Sequence, residues 1–129
     1  MEQLERTQEI RTDRAHSELH FTIGGFWTLE TMRKFLDELA KAATPFIKAR
    51  ETFSALGDLR HFVPQDRETA DAIRQSLLLA QTNGLTRFAV VSESSLVRMQ
   101  YRRITSGLDV EFFDTPSDAE EWLRTARAP

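Results

Sequence analysis

The 129-residue sequence predicts an α/β domain: a sheet of four mostly parallel strands plus an N-terminal strand, with four helices mainly on one face. Three observations predict it. Extended and helical segments alternate along the chain, so successive strands are joined by crossovers, which are right-handed and give a largely parallel sheet. The segment His16 to Ile23 alternates strictly, with Leu19, Phe21 and Ile23 on one side and His16, Glu18, His20 and Thr22 on the other, the period of a half-buried strand. The other strands also keep a polar side, at Thr52 and Ser54, Arg87, Asp109 and Glu111. A sheet covered on both faces would show continuous apolar runs instead. The polar face is therefore expected to be markedly more exposed than the face carrying Leu19, Phe21 and Ile23. The length suits one domain spanning residues 1–129.

Each element has a local reason. Thr7 to Arg11 is the candidate opening strand, with Thr12, Asp13 and Arg14 as turn material. The alternating strand ends at Gly24-Gly25. Leu29, Met32, Leu36, Leu39 and Ala43 then recur at helical spacing, widened by Phe35, behind Thr28 as N-cap. Thr44-Pro45 is expected to close this helix, because the residue before proline avoids helical geometry. Thr52 to Gly57 reads as a strand ending at Asp58, and His61 to Gln65 as loop. A second helix runs from about Asp66 to Thr82, with Ala70, Ile73, Leu77 and Ala80 inward, and stops at Asn83-Gly84. Phe88 to Val91 is the next strand. Ser92 is read as the cap of a helix over roughly Glu93 to Thr105, ended by Ser106-Gly107. Val110 to Phe113 is the last strand. Thr115, Pro116 and Asp118 open a last helix whose apolar face is Ala119, Trp122, Leu123 and Ala126. Only the first few residues and Arg124 to Pro129 look free to fray.

Composition narrows the function classes. The chain is 40% hydrophobic and 29% charged, with mean hydropathy −0.42, as expected of a globular protein. It has no cysteine, which excludes disulfides, thiol nucleophiles and cysteine-ligated metals. Met1 to Arg14 is polar and carries both signs of charge, unlike a signal peptide. No apolar run approaches the roughly 20 residues that span a bilayer. A soluble, cytoplasmic protein is expected. The net charge of −3 argues against non-specific nucleic-acid binding.

The polar start, the strand–Gly–Phe26-Trp27 step and the capped helix from Thr28 to Ala43 resemble the STAS superfamily. So do the strand ending in Gly57-Asp58-Leu59, the Ala89 to Ser92 strand, and the closing Phe112-Phe113-Asp114 with Ala119 and Trp122-Leu123. The nearest branch is similar to the SpoIIAA-like proteins, small free-standing bacterial relatives of anti-anti-sigma factors, and the likeness covers nearly the whole chain. The resemblance implies a fold of successive strand–helix turns and a function of docking to other proteins or binding a small anionic or apolar ligand. Anti-anti-sigma members carry a phosphorylatable serine in an Asp-Ser-x-Gly motif after the third strand. Here that stretch reads Arg60 to Thr69 and holds neither the serine nor the glycine, so the phosphorylation switch is not carried over.

Four constellations merit attention. His16, Glu18 and His20 offer zinc- or iron-type donors, but alternate strand residues lie roughly 7 Å apart, so this reads as a solvated strand face. Asp58, Arg60, His61, Gln65 and Asp66 gather where a strand ends and a helix begins, joined by Ser92 and Ser94 at the next strand end. The carboxyl ends of strands are where open α/β sheets bind ligands, and these residues form the candidate docking or ligand rim. Arg87, Arg98, Arg102 and Arg103 form the candidate basic patch, by default a solvated face paired with acids. Phe26 and Trp27 are read as core. No nucleophile motif and no glycine-rich phosphate loop accompanies them, so a non-enzymatic regulatory module is expected, with no cofactor and no metal. Its partner would be another protein, or a second copy as a homodimer. The alternatives are a small-ligand carrier of the CRAL-TRIO type and, below it, a hydrolase using His61 with Asp58 or Asp66.

Overall fold

The computed structural model describes residues 5–125. Its elements are β1 (Thr7–Asp13), β2 (Glu18–Gly25), α1 (Leu29–Lys48), β3 (Phe53–Phe62), α2 (Arg67–Thr82), β4 (Leu85–Val91), α3 (Ser95–Ile104), β5 (Val110–Phe113) and α4 (Pro116–Thr125). Residues 1–4, among those expected to fray, and the predicted inward Ala126 lie outside the described residues.

The five strands lie in the order β1-β2-β3-β4-β5. β1 pairs antiparallel with β2, and every later pair is parallel. Three crossovers that each step to the next strand in one direction, all right-handed, must place α1, α2 and α3 on one face. That face holds the main core, where Leu19, Phe21, Ile23, Phe53, Leu59 and Phe88 meet Met32, Phe35, Ile73 and Tyr101 of the helices.

The last helix departs from the expectation for the polar face. α4 follows the final strand, so no crossover rule constrains it, and it packs on the opposite face. There Ala119 and Leu123 bury Leu56, Ala89 and Val91, with Phe113 and Trp122 at the margin. Consequently the polar side of β2 is not the exposed side. Glu18 is 0% and His20 6% exposed, as deeply buried as Leu19 at 5% and Phe21 at 9%. Wet positions on that face remain at Glu111 on the outer strand and at Arg60 on β3.

Three boundaries also differ. α1 continues through Pro45 to Lys48. The ring removes one helical N–H, but Phe46 is fully buried and stacks on Phe53 at 5.3 Å, and that packing outweighs the local preference. β3 extends to Phe62, because Leu59 and Phe62 are both buried. The pairing register shifts between Thr22 and Gly24, so these two inward residues are spaced by three instead of two. The cap of α3 is Ser94, whose hydroxyl accepts the Val97 amide, and not Ser92. Of the two aromatics after the double glycine, Trp27 is core, while Phe26 is exposed.

Candidate functional site

The residues of the predicted rim are largely committed to structure, and Asp58, Arg60 and His61 lie within β3 instead of at or beyond its end. Asp58 sits on β3, and its carboxylate receives Arg60 at both oxygens, Nε to Oδ1 at 2.9 Å and Nη2 to Oδ2 at 2.7 Å. Burial pushes the Asp58 carboxyl up, but the hydrogen bonds and charge of Arg60 outweigh it and hold the group below its ordinary value. Asp66 caps α2 by accepting the Thr69 amide, which likewise lowers its carboxyl. Gln65 is a buried tie: its Oε1 accepts the Trp27 amide and its Nε2 donates to the carbonyls of Gly25 and Val63. Its main chain exchanges two hydrogen bonds with the Gln100 side chain, at 2.9 and 2.8 Å. Ser92 is buried and accepts the Ser94 amide. His61 is exposed on the extended β3, and among the described residues it forms no hydrogen bond with Asp58 or Asp66.

The basic patch does not form as one surface. Arg87 projects from the α4 face, paired with Asp109 at 3.1 Å and stacked over Trp122 at 4.1 Å. Arg98 bonds Asp114 and the Ser92 carbonyl. Arg102 lies over Phe112. Arg103 lies apart, in a groove between α2 and α3.

Sequence reasoning missed two features. The first is a charged network beneath α4. The buried Glu18 carboxylate accepts His20 Nε2–H at 2.8 Å and the Arg124 guanidinium at 3.2 and 3.1 Å. Arg11 contacts the other imidazole nitrogen at 2.9 Å. Because arginine only donates, Nδ1 must accept and the proton sits on Nε2, facing Glu18. Asp13, His16 and Glu18 are spaced closely enough to hold a metal ion. Arg124, however, lies within 3.5 Å of both Asp13 and Glu18, so the cationic place is taken by a guanidinium. The second feature is a set of exposed apolar side chains on α3 and after β2. Leu96 and Met99 lie one turn apart on α3, 61% and 50% exposed, and Phe26 follows β2 at 47%.

Cavities in the core are small. Two apolar voids of about 100 and 40 Å³ lie between α1 and α2, sharing Phe21, Leu39, Ser76 and Leu77. No described helix is long and apolar enough to cross a membrane.

A family model for SpoIIAA-like proteins matches residues 19–124. Among solved structures, the chain is similar to an uncharacterized protein of the DUF3478 family, with a SpoIIAA-like fold, from Shewanella loihica PV-4. The two share 21% identity and a TM-score of 0.68, over 92% of this chain and 95% of that one. No curated protein matches.

Proposed function

Since the chain belongs to the SpoIIAA-like family, we propose that it is a non-enzymatic docking module whose contact surface is the outer side of α3. The carrying observation is the exposure of Leu96 and Met99 on successive turns. Large apolar side chains grouped on a surface are costly to leave wet and mark interaction sites. Arg102 and Arg103 are exposed further along the same helix, so charge complementarity favours a partner segment with apolar anchors beside acidic residues. A second copy in an isologous pair would set this basic stretch against itself, a poorer electrostatic match.

The carrier alternative is less well supported. The core voids are far below the few hundred Å³ that ligand pockets occupy. The hydrolase alternative has Asp58 committed to Arg60 and Asp66 to its helix cap.

The test compares wild type, L96S/M99S and the control L79S, which alters an equally exposed leucine on α2. A partner captured from the native cell and then purified should bind wild type and L79S stoichiometrically and lose L96S/M99S. Equal binding by all three overturns the reading. So does a homodimer that L96S/M99S dissolves, because the surface would then serve a second copy.

A further inference from the structure

The groove between α2 and α3 carries a different signal. It encloses about 510 Å³ and is lined by Gln65, Arg67, Asp71, Arg74, Gln100 and Arg103, over a floor of Ala70 and Ile104. Arg67, Asp71 and Arg74 fall at i, i+4 and i+7 on one stripe of α2, and Arg103 faces them from α3. Three guanidiniums and one carboxylate give the groove a net charge of +2 in a protein whose total is −3.

Four arginines elsewhere are each answered by a carboxylate: Arg60 by Asp58, Arg87 by Asp109, Arg98 by Asp114 and Arg124 by Glu18. Among the described residues, none of the three groove arginines has an acidic partner within salt-bridge distance, even with Asp71 in the same lining. Arg74 is held in place from one side only. Its Nη1 donates to the carbonyls of Ile104 and Ser106, at 2.8 and 2.9 Å, where α3 ends. Those bonds fix the guanidinium without neutralising it. The Gln65–Gln100 pairing fixes the other end of the groove and joins the two helices there. The arrangement is therefore a positioned, uncompensated cationic recess rather than a scatter of surface charge.

We propose that this groove binds a phosphate-bearing small molecule. Guanidinium forks match phosphate oxygens in bidentate geometry, and several forks around one recess suit a dianion better than a single carboxylate. The volume exceeds what a lone phosphate fills and lies within the range of small-molecule sites. The proposal is separate from the docking reading: it uses different side chains apart from Arg103, and it is read with purified protein and no partner.

The experiment titrates inorganic pyrophosphate into the full chain at constant ionic strength, following amide NMR shifts. Saturable binding is expected, with shifts confined to the first two turns of α2 and the end of α3. R67Q and R103Q should each weaken binding about tenfold, while R33Q, which alters an exposed arginine on α1, leaves it unchanged. Both groove arginines are exposed, so these variants should stay folded, which their spectra verify. Non-saturating shifts spread over every surface arginine, or equal weakening by R33Q, would overturn the proposal. A second arm uses phosphatidylcholine vesicles with and without phosphatidic acid. Binding to the acidic vesicles without binding to pyrophosphate would overturn a soluble ligand in favour of a lipid headgroup.

Discussion

Replacing Arg124 by methionine keeps most of the side chain's length and removes only the cation. In the native protein Glu18 is fully buried and carries three charge-assisted contacts, one from His20 and two from Arg124. Methionine leaves the carboxylate with His20 alone. A hydrogen bond to a charged group contributes about 1.5–3 kcal/mol, and stranding a buried charge costs as much or more. Arg124 is itself partly exposed, which discounts its share, and Glu18 can take up a proton, which caps the loss. R124M should therefore lose about 2 kcal/mol at neutral pH. E18Q should lose less, about 1 kcal/mol, because Arg124 retains Asp13, Glu120 and water. The double variant should resemble E18Q.

The pH dependence gives the sign. Burial pushes the Glu18 carboxyl up, but the hydrogen bonds of Arg124 and His20 and the charge of Arg124 together pull it below its ordinary 4.5. A depressed carboxyl contributes stability that is present above that value and lost as pH falls through the lower folded-state one. The gap between wild type and R124M should thus hold at pH 7 and shrink below about pH 4. Urea unfolding followed by tryptophan fluorescence measures both, because Trp27 reports the main core and Trp122 the α4 layer. E18Q costing more than R124M, or a gap unchanged from pH 7 to pH 3, would refute the reasoning.

Other perturbations test the fold. G25A should cost roughly 2–3 kcal/mol in the same assay, because Gly25 has φ +81° and an added Cβ would collide with the Glu5 carbonyl. W27A should cost about 3–5 kcal/mol, since it empties a fully buried site and removes the indole bond to the Gly24 carbonyl at 2.9 Å. P45A should raise stability by about 1 kcal/mol, seen as a higher urea midpoint, because it restores a donor within α1 at an exposed position.

What the sequence disclosed followed the reach of its signals. The strand alternation, kept from Glu18 to Ile23, and the cap at Thr28 are local patterns. The burial of Glu18 and His20 is not local. The guanidinium that neutralises Glu18 comes from a residue 106 positions away, and a polar strand position looks the same whether water or a distant arginine answers it. The extension of β3 was hidden for a related reason. Leu59 and Phe62 break the period of two because the neighbouring ladder slips, so the stretch from His61 reads as loop. At the groove, the stripe of Arg67, Asp71 and Arg74 was present in the spacing. Its counterpart Arg103 had been grouped with Arg87, which the sheet places on the other side.

The linear strand order has a consequence for the isolated molecule's solubility. A sheet that never closes has two open margins, each able to recruit a foreign strand. One margin is only four residues long and is bracketed by Asp109 and Asp114. The other, longer margin carries Glu9, Arg11 and Asp13 at alternate positions. Both ends are thus guarded by ionised side chains, which oppose the docking of a foreign strand.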